Sequence, residues 1–187
     1  MSRWKAFYEH AGRDPHETLV QAADGFEKPG LAVDLGCGAG RDTVELLRRG
    51  WRVIAIDGDA GGIELLRERV GAEPRLQAEV MRIEDARWPP VELVNAGFSL
   101  PFCERAAFPH VWDRIVGSLR PGGRFAGHLL GPHDSWAERT TTYARADVEA
   151  LLAPFAVERL DEVEHDGQTV TGTAKHWHVF HLVAERL

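Results

Sequence analysis

The sequence predicts an α/β fold: a single Rossmann-like, doubly wound sheet, mostly parallel, with one antiparallel strand near the C-terminal end. Three observations predict it. Short apolar runs rich in β-branched residues alternate with helical patterns, the mark of βα units on a parallel sheet. A glycine-rich turn joins the first of these runs to a helix. The last third breaks the alternation with two long strand-like runs and no helix between them, and strands joined in that way pair antiparallel.

In chain order, residues 2–25 read as one or two helices packed on or over the core, so 1–30 form a helical N-terminal cap and 31–187 the core of one domain. Strands are expected at 31–35, 52–56, 75–80, 91–95 and 124–130, and helices at 41–49, 61–70 and 109–119. In the last of these helices Val111, Trp112, Ile115, Val116 and Leu119 fall on one face of a 3.6-residue period. Arg120-Pro121-Gly122-Gly123 then reads as a stop and a turn. A short helix at 145–152 is ended by Pro154. Strands at 155–163 and 175–184 follow, joined by a connection over 164–174.

The composition excludes several classes of function. The chain has 187 residues, 44% hydrophobic and 27% charged, with a formal net charge of -7. No basic stripe stands out, so nucleic acid is not an expected partner and a small molecule is. Two cysteines, Cys37 and Cys103, are too few for a disulfide framework or a zinc site. The first residues carry no apolar h-region, and no apolar run approaches the ~18 residues of a membrane helix. A cytoplasmic protein without a membrane partner is expected, its oligomeric state open.

The most informative stretch is Ala32-Val33-Asp34-Leu35-Gly36-Cys37-Gly38-Ala39-Gly40-Arg41-Asp42-Thr43. It follows a strand and opens a helix, the context a nucleotide-binding glycine loop requires. Glycines remove the Cβ atoms that would hold a ligand off the backbone. The spacing is D-x-G-x-G-x-G rather than the dinucleotide G-x-G-x-x-G, and it disfavours a nicotinamide oxidoreductase. An acid two residues before the first glycine repels a pyrophosphate but suits an ammonium. Asp57, ending the second strand 21 residues beyond Gly36, sits where a carboxylate accepts from two ribose hydroxyls.

On these residues the chain resembles the class I S-adenosylmethionine-dependent methyltransferases. Residues 32–43 look like their first motif, Ile56-Asp57-Gly58 like the acid ending their second strand, and Leu119-Arg120-Pro121-Gly122-Gly123 like the turn before their fifth. The Asp34-Leu35-Gly36-Cys37-Gly38 wording and small size are similar to the tellurite-resistance and thiopurine branches. The resemblance implies S-adenosylmethionine as cofactor. It puts Asp34, Gly36, Cys37, Gly38 and Arg41 around the methionine end and Asp57 and Gly58 at the ribose. Adenine would lie near Arg82, Ile83 and Glu84, where Arg82 replaces a common aspartate and Glu84 substitutes for it. Asn95 and the following Ala96-Gly97-Phe98 would lie beneath the sulfonium.

Ligands of open α/β sheets bind outside the carboxyl ends of the strands. Three segments should crowd that edge: one with Phe98 and Phe102, one with His133 and Trp136, and one with Lys175-His176-Trp177-His178. Trp4, Phe7 and Tyr8 could fold over as a lid, Trp4 and Tyr8 sharing a helix face. Tyr8 is read as a cofactor contact, and Trp4, Phe98, Phe102 and Trp136 as substrate contacts. Methyl transfer is an in-line displacement that depends chiefly on positioning. A thiolate or metalloid acceptor needs no base, whereas an amine or alcohol would use His133 or His176 as the catalytic base. His176 and His178 share a strand face but His181 points to the other, so no metal is expected. The expected function is methyl transfer to a small molecule. The rival readings are a non-catalytic S-adenosylmethionine-binding module and methylation of a protein or peptide side chain.

Overall fold

The computed structural model describes residues 4–10 and 12–187. Its elements are α1 (Lys5–His10), α2 (Glu17–Asp24), β1 (Leu31–Leu35), α3 (Arg41–Arg48), β2 (Arg52–Asp57), α4 (Ala60–Val70) and β3 (Leu76–Val80). They continue with β4 (Val91–Ala96), a one-turn helix (Leu100–Phe102), α5 (Phe108–Ser118), β5 (Leu119–Leu130), α6 (Arg145–Leu151), β6 (Phe155–Gln168) and β7 (Ala174–Arg186). The expected N-terminal helices are α1 and α2; Ser2, where that expectation began, lies outside the described residues.

The seven strands form one sheet in the order β3-β2-β1-β4-β5-β7-β6. Pairing is parallel from β3 through to β5, and β7 is antiparallel to both β5 and β6. One strand is therefore reversed, as expected. Side chains alternate along each strand, so each face of the sheet has its own apolar cluster. Val33, Leu35, Ile54, Ile56 and Val94 bury against Val111, Trp112 and Ile115 of α5 and Val148 of α6. Ala32, Val53, Ala55 and Leu93 bury against Leu19 of α2, Leu46 of α3, and Ile63 and Leu66 of α4.

Two expectations are corrected. Residues 120–123 do not end the pairing before β5 but form a bulge inside it. The register with β4 passes from Val91 opposite Leu119 to Leu93 opposite Arg124, and Gly122 takes the positive φ of 78° that the bulge requires. The connection expected over 164–174 is mostly strand, with β6 running to Gln168 and β7 starting at Ala174. β6 is an edge strand, and edge strands carry charge in place of apolar alternation, so the hydrophobic pattern fades before the strand does.

The strand order reverses between β1 and β4, the position where α/β sheets open a crevice at the carboxyl ends of the strands. Among the described residues no helix is long and apolar enough to cross a membrane.

Candidate active site

A cavity of about 710 Å³ lies at this crevice, lined by residues of α1, the β1–α3 loop, the ends of β2 and β4, and the β6–β7 hairpin. One end is mostly main chain. Gly36 and Cys37 donate their N–H groups to Ile56 O at 2.7 and 3.1 Å, which ties the glycine loop to β2. Gly38 N donates to Asp57 Oδ2 at 2.8 Å and Asp59 N to Asp57 Oδ1 at 2.7 Å, so this carboxylate pins the loop from across the cleft. Burial raises the Asp57 carboxyl, and those two backbone donors oppose the shift. Gly38 has φ 53°, and a Cβ there would lie 2.9 Å from the ring of Tyr8. The Tyr8 hydroxyl is itself pushed up, by burial and then by the charges of Asp57 and Asp59.

Behind the loop lies a buried polar network. Thr43 Oγ1 donates to Asp34 Oδ2 at 2.6 Å, and the Asn95 amide donates to Asp34 Oδ1 at 2.9 Å and to Asp42 Oδ2 at 2.8 Å. His16 donates its main-chain N–H to Asp42 Oδ1 at 2.9 Å, and its Nδ1 lies 2.8 Å from Asp42 Oδ2. Arg41 holds His16 Nε2 at 3.0 Å and the Gly12 carbonyl at 2.9 Å. Burial, reinforced by the nearby Asp42, raises the Asp34 carboxyl. Burial would also raise Asp42, but the hydrogen bonds and charge of His16 outweigh it and hold Asp42 low. Of the two acids, Asp34 is the one that gains most from an added cation, because its charged form lacks one.

The other end is aromatic. Trp4 meets Phe102 edge-on with centroids 5.3 Å apart, Phe102 meets Trp136 at 6.0 Å, and Trp136 meets Trp177 at 5.7 Å. Lys175 Nζ sits 4.2 Å from the centroids of both Trp136 and Trp177 and pairs with the buried Asp134. Two faces and a carboxylate thus desolvate and fix this ammonium, and the ammonium in turn fixes both indoles. Phe98 forms the floor, its ring stacked on His128 at 4.0 Å and 7°. With φ 57° it is the one non-glycine residue in the left-handed region among those described, a strained conformation characteristic of sites.

Most of the sequence-predicted residues come together in this cavity: Trp4, Tyr8, Asp34, Gly36, Cys37, Gly38, Arg41, Asp57, Gly58, Arg82, Ile83, Glu84, Phe98, Phe102 and Trp136 all line it. Three do not. Asn95 is fully buried and reaches the cleft only through Asp34 and Asp42. His133 and His176 lie outside the lining, at Glu164 on the hairpin, with Nδ1 of His133 at 3.2 Å and Nε2 of His176 at 3.0 Å. For His176 strand alternation is the reason: on β7 it is Trp177, between His176 and His178, that faces the cavity. Arg82 is engaged by Glu104 at 2.6 Å and Glu84 at 3.3 Å, and Glu84 also accepts from Glu104 N at 3.0 Å. Sequence reasoning missed His16 and Asp42 as a pair 26 residues apart, since no local spacing links them. Trp177 could have been found from strand parity.

The chain is similar to known methyltransferases in sequence and in fold. The methyltransferase domain family matches residues 32–123. The chain is 31% identical to trans-aconitate 2-methyltransferase of Paracidovorax citrulli over 82% of this chain and 66% of that protein. It spans 20% to 66% of the length of the curated relatives it matches. Among solved structures, TehB from Haemophilus influenzae superposes with a TM-score of 0.79 at 17% identity, over 92% of this chain and 62% of that one. The 1,6-didemethyltoxoflavin-N1-methyltransferase of Burkholderia thailandensis, solved with its acceptor and S-adenosylhomocysteine, superposes with a TM-score of 0.72 at 21% identity, over 97% and 81%. A glycine cradle that side chains would fill, an acid at the end of β2 and a buried acid without a cation are the groups an adenosyl sulfonium amino acid needs. Residues 32–123 carry the methyltransferase domain, and the chain is similar to the class I S-adenosylmethionine-dependent methyltransferases, enzymes whose cofactor is S-adenosylmethionine.

Proposed function

We propose that this protein methylates a small, largely apolar or aromatic acceptor by in-line transfer from S-adenosylmethionine. The observation that carries this reading is the continuity of the cavity, whose glycine-loop end runs without a break into the wall of Phe102, Trp136 and Trp177. A pocket that is mostly apolar with a few polar groups is the usual make-up of a small-molecule site. Two similar proteins are named for small acceptors, trans-aconitate and 1,6-didemethyltoxoflavin, which supports a small-molecule acceptor. The acidic net charge supports an enzyme without a nucleic-acid partner.

The bound cofactor supplies an electrophilic methyl group on a sulfonium. Asp34 and Arg41 would hold its methionine end, with the Gly36–Cys37–Gly38 main chain against it. Asp57 would accept from the ribose beside Gly58, and Arg82, Ile83 and Glu84 would border the adenine. Tyr8 and Trp4 close over the cleft and exclude water. Phe98 supports the reacting centre from below, and the aromatic wall aligns the acceptor; positioning of this kind is worth roughly 7–11 kcal/mol of barrier. A thiolate acceptor needs no base. The imidazole lining the cavity, His16, has Nδ1 on Asp42 and Nε2 on Arg41, so an amine or alcohol would have to arrive already deprotonated or give its proton to solvent.

A screen of small thiols, amines, phenols and metalloid oxyanions tests the reading, with S-adenosylhomocysteine as the product measured. Turnover with an aromatic member of the set is expected. Tight cofactor binding with no turnover on any class would favour a binding module instead, and faster turnover on a peptide would end the small-molecule reading.

A further inference from the structure

On the hairpin, outside the cavity, three histidines and three carboxylates converge. β6 carries Glu162, Glu164 and Asp166 at alternate positions, and β7 sets His178 opposite Glu164 and His176 opposite Asp166. His133 arrives from the loop after β5. Its Nδ1 lies 3.2 Å from Glu164 Oε1, and His178 Nδ1 lies 3.9 Å from Glu164 Oε2. One donor atom from each of His133, Glu164 and His178 falls within 4.8 Å of the other two.

We propose that His133, Glu164 and His178 form a site for a divalent transition metal of the zinc class, bracing the acceptor wall. Tetrahedral bonds of about 2.0–2.1 Å place ligand atoms roughly 3.3 Å apart. His133 Nδ1 and Glu164 Oε1 are already at that spacing, His178 Nδ1 is 3.9 Å from Glu164 Oε2, and side-chain rotation of the two exposed partners, His133 and Glu164, would take up the remainder. His178 is the fixed ligand. Buried, it offers Nε2 to Glu162 Oε1 at 2.9 Å, while its Nδ1 receives the main-chain N–H of His133 at 3.3 Å. A nitrogen that accepts an N–H is unprotonated, so the proton faces Glu162 and an ion would take over the Nδ1 lone pair in place of the His133 N–H. That is the carboxylate–histidine arrangement that orients metal-bound imidazoles. Two imidazoles and a carboxylate select a zinc-class ion over magnesium or calcium.

The ligands come from three segments, and two of them stand beside the aromatic wall. Trp136 is three residues beyond His133, and Trp177 adjoins His178. A metal here would tie the loop after β5 to the hairpin and hold both indoles in place. The site departs from the expectation that the chain holds no metal, and it does not depend on the proposed function.

The test is calorimetric titration of the untagged, chelator-treated chain with Zn²⁺, and in parallel with Mg²⁺, together with thermal melting. One equivalent of Zn²⁺ is expected to bind with a Kd of about 1 µM or tighter and to raise Tm, with no uptake of Mg²⁺. His133→Ala and Glu164→Gln, both at exposed positions, should each weaken binding at least tenfold. His165→Ala, on the other face of β6, should leave it unchanged. Absence of Zn²⁺ binding, equal binding of Mg²⁺, or wild-type Zn²⁺ affinity in both variants would overturn the proposal and leave the cluster as cross-strand ion pairs only.

Discussion

At the Asp57 end of the cleft the wall is main chain, drawn from two adjacent strand ends and locked by N–H donors into Ile56 and Asp57. At the Trp136 end the wall is side chain, drawn from α1, the turn after β4, the loop after β5 and the hairpin, and locked by ring contacts around one buried ammonium. Main chain is the same whatever residue supplies it, so the first end suits a ligand common to a family. Rings are interchangeable in shape and placement, so the second suits a ligand particular to one member. The polar network through Asp34, Asn95, Asp42 and His16 lies behind the glycine loop, and its His16 meets the floor residue Phe98 with ring centroids 5.5 Å apart.

The largest effect should come from the main-chain end. Gly38→Val places a β-branched side chain at φ 53° and against Tyr8, and should lower cofactor affinity by 100-fold or more, about 3 kcal/mol. Calorimetry with S-adenosylhomocysteine measures it; wild-type affinity in a folded variant would mean the loop is not the cradle. Asp57→Ala acts at the same end and on the same scale. It removes the proposed acceptor of two ribose hydroxyls, at roughly 1.5–3 kcal/mol for each charged hydrogen bond, together with the pin on Gly38 N. An unchanged affinity would take Asp57 out of the site.

Trp177→Ala should act at the other end alone, raising the acceptor KM about tenfold, near 1.4 kcal/mol, while cofactor affinity moves less than twofold. Steady-state kinetics on an acceptor found in the screen decides. If cofactor affinity falls as far as the KM rises, the two ends are not separate regions.

The smallest effect concerns the floor. Burial, followed by the charge of His16, lowers the His128 imidazole well below its usual 6.5. The unfolded chain then binds more protons than the folded one as pH falls below about 6.5, so stability is fully present above that value and declines beneath it. The slope cannot exceed about 1.4 kcal/mol per pH unit for one group. His181, also lowered by burial, adds in the same direction. His128→Phe keeps the stack on Phe98 and should flatten the decline of Tm below pH 6.5. An identical pH profile in the variant would show that His128 does not carry the linkage.

The sequence was informative where chemistry depends on local spacing. The strand–loop–helix of residues 31–48 with Asp57 beyond it, the face of Val111, Trp112 and Ile115, and the single reversed strand all follow from short-range pattern. A turn signal was read for Pro121-Gly122-Gly123, but whether it ends a strand or bulges within one depends on the partner, because the register of β4 decides it. The hairpin was foreseen but not its length, since charged residues on an edge strand pair across rather than bury.

What the sequence by itself determined was the fold class and the glycine-loop end of the cleft, because a glycine loop and an acid at a fixed offset act through backbone geometry that neighbouring residues set. What only the tertiary structure decided was which side chains meet from afar. His16 reaches Asp42, Lys175 lies between Trp136 and Trp177, and His133 and His176 turn to Glu164 rather than to the cleft. Contacts of that kind depend on how strands alternate and how loops fold back, and no spacing along the chain encodes them.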